Sequence, residues 1–166
     1  MNNSPTILLV DDDADDVLLF RYALGESALP AELRVVHNGL DAVKYLSGYG
    51  VFGNRAEFPM PGLVLLDLQM PGLDGLGVLR WVRRQHSLVN LPVVVFTGSD
   101  HGPAEAIENG ADVYLRKGAD TSELLALLQQ VNLGWQRNGH GTHHHQPDPV
   151  AFALNTSDRY PGLKFA

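Results

Sequence analysis

The chain is predicted to form an α/β fold, a doubly wound parallel sheet, on three observations. Five short apolar runs recur along it, segments of helical periodicity separate them, and chemically capable polar residues fall just after the runs. Apolar runs without alternation suit strands buried on both faces, as in parallel sheets covered by helices. Short links and right-handed crossovers turn a βαβαβαβαβα alternation into a (βα)5 three-layer sandwich. For five strands the common order is 2-1-3-4-5, and ligands bind outside the carboxyl ends of the strands, in the crevice between the first and third.

The first strand is Ile7-Leu8-Leu9-Val10, which stops abruptly at acids. Further strands cover residues 33–36, 63–66, 93–96 and, with a weaker signal, 113–115. The first helix spans residues 17–24 and keeps Val17, Leu18, Phe20, Ala23 and Leu24 near one side. The second and third cover 40–46 and 75–85. The fourth, 103–109, opens on Pro103, which suits a first turn, and closes on Asn109-Gly110, which suits a C-terminal cap. The fifth, 122–133, has Thr121 or Asp120 as N-cap and Leu124, Leu125, Leu127 and Leu128 as its apolar face.

Two stretches depart from this pattern. Residues 47–62 are long for a link that usually takes about 2–6 residues, and Tyr49, Phe52 and Phe58 predict a segment that packs on itself. Residues 134–166 turn to Gly, His, Pro and Asn and read as a tail behind a domain of residues 1–133, with no separate effector domain. His140, His143, His144 and His145 lie in that tail without the carboxylate or Cys spacing of a defined metal site. Phe152, Tyr160 and Phe165 in that tail are suited to docking on the domain or on a partner.

Composition narrows the function classes. A net charge of −7 argues against a nucleic-acid surface, which needs clustered Lys and Arg to displace counterions from phosphates. The absence of cysteine excludes disulfides, thiolate zinc sites and Cys nucleophiles. The first apolar run is too short for a signal peptide or a membrane span, so a cytoplasmic protein off the membrane is expected.

The chemistry gathers at the predicted carboxyl edge. Asp11, Asp12 and Asp13 follow the first strand, Asp67 the third, Thr97 the fourth, and Lys117 lies just past the fifth. Adjacent strands lie about 4.8 Å apart, so carboxylates at neighbouring strand ends can share one small ion. Magnesium suits such a place, since it takes one or two protein carboxylates and fills its remaining positions with water and phosphate oxygens. Helix capping competes for part of the acidic run and accounts for Asp13 and Asp15. Thr97 also fits as a β-branched strand residue, Tyr114 as a half-buried edge aromatic and Lys117 as a surface lysine.

Taken together, Leu8-Leu9-Val10-Asp11-Asp12-Asp13, Leu65 through Gly75 (LLDLQMPGLDG), Val94-Val95-Phe96-Thr97-Gly98 and Tyr114-Leu115-Arg116-Lys117 resemble the response-regulator receivers of two-component signalling, over roughly residues 6–133. The resemblance implies a flavodoxin-like sandwich and a domain that accepts a phosphoryl group from a histidine kinase, rather than an enzyme acting on a separate substrate. It implies Asp67 as phosphoacceptor. It implies Mg²⁺ held by Asp12 directly, by Asp11 mainly through water, by Asp67 and by the backbone carbonyl of Gln69. Lys117 and Thr97 would contact phosphoryl oxygens, Gly98 would leave room for the group, and Thr97 with Tyr114 would form the switch. The long 47–62 segment and Asp15-Asp16-Val17-Leu18-Leu19 resemble, more narrowly, the single-domain regulators paired with bacterial phytochromes. Those relatives imply a homodimer through the side made by the fourth helix, fifth strand and fifth helix.

The chain departs from the receiver pattern at Gly118, where the family places a proline whose cis peptide aims the lysine inward. A cis bond before a non-proline residue costs about 2.5–4 kcal/mol. Either that strain is borne, or the bond is trans and the lysine is aimed differently. Gly118 thus keeps open a receiver-like scaffold that is never phosphorylated. A flavodoxin-like electron carrier would need a Gly-rich phosphate loop after the first strand, where this chain has Asp11, Asp12 and Asp13, which would repel a flavin phosphate. A phosphohydrolase would want a second acid where Gln69 stands.

Overall fold

The computed structural model of the chain describes residues 4–98, 103–118, 121–138 and 164–165. Each predicted apolar run is a strand: β1 (Thr6–Val10), β2 (Glu32–Val36), β3 (Leu63–Leu66), β4 (Val93–Thr97) and β5 (Val113–Arg116). The helices are α1 (Ala14–Glu26), α2 (Gly39–Ser47), α3 (Gly75–Arg84), α4 (Pro103–Glu108) and α5 (Ser122–Asn138). The five strands are parallel in the order β2-β1-β3-β4-β5, as expected. Lys164–Phe165 adds a sixth, antiparallel strand, β6, on the outer edge of β5. Two residues of the stretch 134–166 thus pair with the sheet, and α5 runs five residues beyond the expected end at Leu133. The four clustered histidines, Phe152, Tyr160 and Asp120 lie outside the described residues.

Period-two alternation divides the core into two layers. Leu8, Val10, Val64, Leu66, Val93 and Val95 face α2, α3 and α4. Ile7, Leu9, Leu63, Leu65, Val94 and Phe96 face α1 and α5. With both faces covered, β1, β3 and β4 are buried along their whole length, which explains their unbroken apolar runs. Fully burying one such side chain contributes about 1.5–3 kcal/mol.

Local chemistry fixes the helix starts. Asp13 caps α1 by accepting from the Asp15 and Asp16 amides, Asn38 caps α2, and Asp74 caps α3. The capping role expected of Asp13 is therefore observed, whereas Asp15 lies inside the first turn. Gly48 ends α2 at φ 69°, a left-handed conformation that glycine adopts without strain.

The segment after α2 packs on itself, but through a different aromatic than the spacing predicts. Tyr45, Phe52 and Phe58 form a mutually packed trio, while Tyr49 is 70% exposed. Tyr45 donates its hydroxyl to the Pro59 carbonyl. Arg55 donates to the carbonyls of Tyr45, Leu46 and Phe58, satisfying the end of α2. Among the described residues, no helix is long and apolar enough to cross a membrane.

A second arginine ties three segments together. Arg83, near the end of α3, donates to the carbonyls of Gly110, Val89 and Leu91 and pairs with Asp112 at 2.8 Å. Asp112 also accepts from the Val93 amide at 2.7 Å. Burial raises the Asp112 carboxyl above its ordinary range, while the Val93 amide and Arg83 pull it back. A raised acid contributes stability that is present at low pH and lost as pH rises through its folded-state value. Arg83→Ala is therefore expected to cost about 2–4 kcal/mol at neutral pH by urea denaturation. The gap to wild type should narrow as Asp112 is protonated in acid, and a gap that widens instead would refute the account.

Candidate functional site at the carboxyl edge of the sheet

Register brings the acids together. Val10 pairs with Leu66 across β1 and β3, so Asp11 and Asp67 leave their strands level with each other. Their backbones are anchored: the Asp11 amide donates to Val36 and the Asp67 amide to Val10. Both side chains are buried, at 0% and 5% exposure, whereas Asp12 is exposed. Carboxylate oxygens of Asp11, Asp12 and Asp67 lie within 4.8 Å of one another.

The connection after β3 is shaped around Asp67. Its Oδ1 accepts from the Gln69 amide at 3.2 Å. α3 begins so close to the strand end that a Cβ at Gly75 would sit 2.1 Å from the Asp67 carbonyl oxygen. The Gly75 amide donates to Leu68 in the same turn. Glycine here follows from close approach of two backbones, not from turn chemistry alone.

Lys117 closes the site. Its amide donates to the Thr97 carbonyl, continuing the β4–β5 ladder one residue past β5. Its ammonium lies 2.7 Å from Asp11 Oδ2, 3.0 Å from Asp67 Oδ2 and 2.6 Å from Asp16 Oδ2. No described peptide is cis, so Lys117-Gly118 is trans and the lysine still reaches both acids. The side chain is 13% exposed. Burial alone would lower its pKa, but the contacts it makes with the carboxylates of Asp11, Asp16 and Asp67 outweigh that and hold it well above the ordinary lysine value. Asp11 behaves differently, because desolvation exceeds the help from Lys117 and its carboxyl is raised. One ammonium divided among three carboxylates satisfies the cation better than any single anion.

The expected residues Asp11, Asp12, Asp67 and Lys117 thus meet at one point. Thr97 is buried at the end of β4, and Tyr114 is half-buried on β5 against the α2–α4 layer. Gln69 is exposed beyond Asp67, with its amide on the carboxylate. Among the described residues, nothing lies within 4 Å of the position a Cβ would take at Gly98. Asp16 is the member that sequence reasoning missed. Its only signal is an acid in the first turn of a helix, which capping and dipole effects explain without the lysine 101 residues away.

The trio fits a hard divalent cation. It is all oxygen, and Asp11 Oδ2 is buried without an aligned hydrogen bond, its contact with Lys117 being an ion pair only. A buried acceptor in that condition costs free energy that a metal ion removes.

Fold and site together define a receiver module. Residues 7–129 match the response regulator receiver domain, and the chain belongs to that family. It is 34% identical over 137 residues to response regulator Rcp1 of Synechocystis, covering 81% of this chain and 90% of that protein. The Mn²⁺-bound form of Rcp1 superposes with a TM-score of 0.66 at 34% identity, over 79% of this chain and 94% of the other. Phosphorylated RcpA, a cyanobacterial phytochrome response regulator, gives 0.68 at 30% identity over 81% and 96%. The bacteriophytochrome response regulator RtBRR gives 0.69 at 32% identity over 93% and 90%. The phytochrome-associated resemblance read from the 47–62 segment is borne out at the level of homology.

Gly75→Ala should destabilise the fold by about 1–3 kcal/mol, because the new methyl must displace backbone at the acceptor. Gly98→Ala, with no neighbour within 4 Å among the described residues, should unfold with the wild-type midpoint in the same urea titration. Equal midpoints for the two variants would contradict the close approach of α3 to Asp67.

Proposed function

We propose that the chain is a phosphoryl-accepting switch that receives its phosphoryl group on Asp67 and signals through its surfaces. The observation that carries this reading is a buried carboxylate at the β3 end that shares one ammonium and one all-oxygen trio with Asp11. Asp11, Asp12 and Asp67, with the Gln69 backbone carbonyl, would hold Mg²⁺; the Mn²⁺-bound relative supports a divalent ion in this family. When bound, that ion neutralises charge on the phosphoryl oxygens.

The residues of the chain do the rest. An Asp67 carboxylate oxygen attacks phosphorus as the bond to the donor's leaving nitrogen breaks, giving an aspartyl phosphate. Burial keeps competing water away, and the Gln69 amide and Lys117 orient the carboxylate before attack. Lys117 then turns from Asp67 toward a phosphoryl oxygen, and the Thr97 hydroxyl donates to another. The donor is proposed to be a histidine kinase of the bacterial phytochrome type, by homology with RcpA and RtBRR. The protein would work in the cytoplasm, away from nucleic acid and membrane. Movement of Thr97 and Tyr114 would bias the α4-β5-α5 face, where a homodimer is proposed.

Incubating the protein with acetyl phosphate and Mg²⁺ should add one phosphoryl group to the intact mass. Asp67→Asn and EDTA should each abolish it. Asp12→Asn should weaken Mg²⁺ binding by at least about tenfold, since even outer partners of metal ligands are worth about 10–100-fold. Failure of the wild type to take phosphate and to bind beryllofluoride would favour the scaffold that is never phosphorylated.

A further inference from the structure

We infer that Asp16 is the positioning residue for Lys117 and keeps the ammonium at the site when a divalent cation occupies the trio. The inference rests on the phosphoacceptor reading above and adds a residue to it. Three carboxylates hold the lysine, and two of them, Asp11 and Asp67, also belong to the trio suited to a metal ion. A cation there engages the same oxygens and repels the ammonium. Asp16 lies outside the trio and makes the shortest of the three contacts, at 2.6 Å.

The backbone gives the lysine little guidance of its own. Its amide is tied to Thr97, but the next residue, Gly118, is exposed, follows a trans peptide, and among the described residues has nothing within 4 Å of the place a Cβ would take. A four-carbon stem therefore leaves the strand with its root fixed, and its end is held by the three carboxylates, with the Phe96 ring centroid 5.7 Å from the ammonium. Asp16 is suited to that task because its own backbone is rigid. It sits in the first turn of α1, and its amide joins that of Asp15 in donating to the cap Asp13. Its side chain is three-quarters covered.

Asp15 supplies the control. It occupies the same turn and carries the same charge, but it is exposed and is not among the carboxylates within 4.0 Å of Lys117. Loss of either acid has the same effect on the helix dipole and on net charge, so a difference between the two variants reports on the lysine.

The test treats wild type, Asp16→Asn, Asp15→Asn and Asp16→Glu with a limiting amine-acetylating reagent in saturating Mg²⁺, and follows Lys117 by peptide mass. Asp16→Asn should acetylate at Lys117 about tenfold faster than wild type, the scale of one charge-assisted hydrogen bond. Asp15→Asn should match wild type, and Asp16→Glu should return most of the protection. In parallel, acetyl phosphate should modify Asp67 more slowly in Asp16→Asn than in Asp15→Asn. Equal Lys117 labelling in the two Asn variants would overturn the role of Asp16 even if wild type is phosphorylated. If wild type neither takes a phosphoryl group nor binds beryllofluoride, the phosphoacceptor reading falls while the labelling ratio still decides Asp16. Should Asp16→Asn melt below the labelling temperature, Asp16→Ser replaces it with the same expected ratio.

Discussion

Two carboxylates buried level with each other at the end of a parallel sheet repel, and much of the carboxyl edge is arranged to meet that repulsion. Unit charges 4.8 Å apart cost about 3–4 kcal/mol at an effective dielectric of about 20, a large fraction of the stability of a small domain. The register that buries β1 and β3 leaves no freedom to separate Asp11 from Asp67, because a slip of one residue would turn every core side chain the wrong way. The edge must therefore import positive charge. Lys117 supplies it from the end of β5, which reaches the crevice only because β4 carries it there through the Thr97–Lys117 hydrogen bond. The arrangement is asymmetric: Lys117 is lifted above its ordinary range, while Asp11 is raised as well because burial exceeds its share of the ammonium. Three carboxylates facing one ammonium leave the site net negative, which suits a divalent ion.

Most of this architecture is legible in the sequence because burial on both faces writes itself as unbroken apolar runs. β3 is found to the residue, and the other strands to within one, since the runs end where the chain meets polar residues. Helix starts are less sharp: α1 begins three residues earlier than the apolar periodicity indicates, as its first turn is Asp-rich and carries no core residue. The acceptor region is legible because turn residues and acids stand at fixed offsets from a strand end. What escapes is interaction between remote segments. Nothing local distinguishes Asp16 from an ordinary helix-start acid, Arg83 from a surface arginine, or Tyr45 from any other aromatic on an apolar helix face. β6 escapes because two residues carry no periodicity.

The departure at Gly118 shows how one local feature can be replaced by a distant one. A backbone constraint after the lysine would fix the direction of its side chain at its root. With glycine there and a trans bond, direction is set at the tip, by Asp16 across the β1–α1 turn. The two solutions differ in consequence. A backbone constraint is indifferent to ions, whereas an anchor made of charge outside the trio is the contact left to the lysine when a cation claims the other two acids. In this chain the lysine is accordingly aimed by the same electrostatics that the site uses for its chemistry.

The same geometry limits how a change at Asp67 can travel. The acceptor, Lys117 and the end of β4 are joined by two short links: the Asp67–Lys117 contact and the Lys117 amide on the Thr97 carbonyl. Thr97 pairs with Arg116, and Val95 with Tyr114, so the proposed switch residues lie on adjacent strands within one ladder. On the other side, Asp67 is braced by α3, where Gly75 leaves no slack. A new phosphoryl group therefore meets a rigid wall toward α3 and an electrostatic tether toward β4 and β5. Displacement follows the softer path, and β5 is also the strand whose outer edge carries β6. The outer edge of β5 on the α4-β5-α5 side is thus already paired, along Val113 and Tyr114.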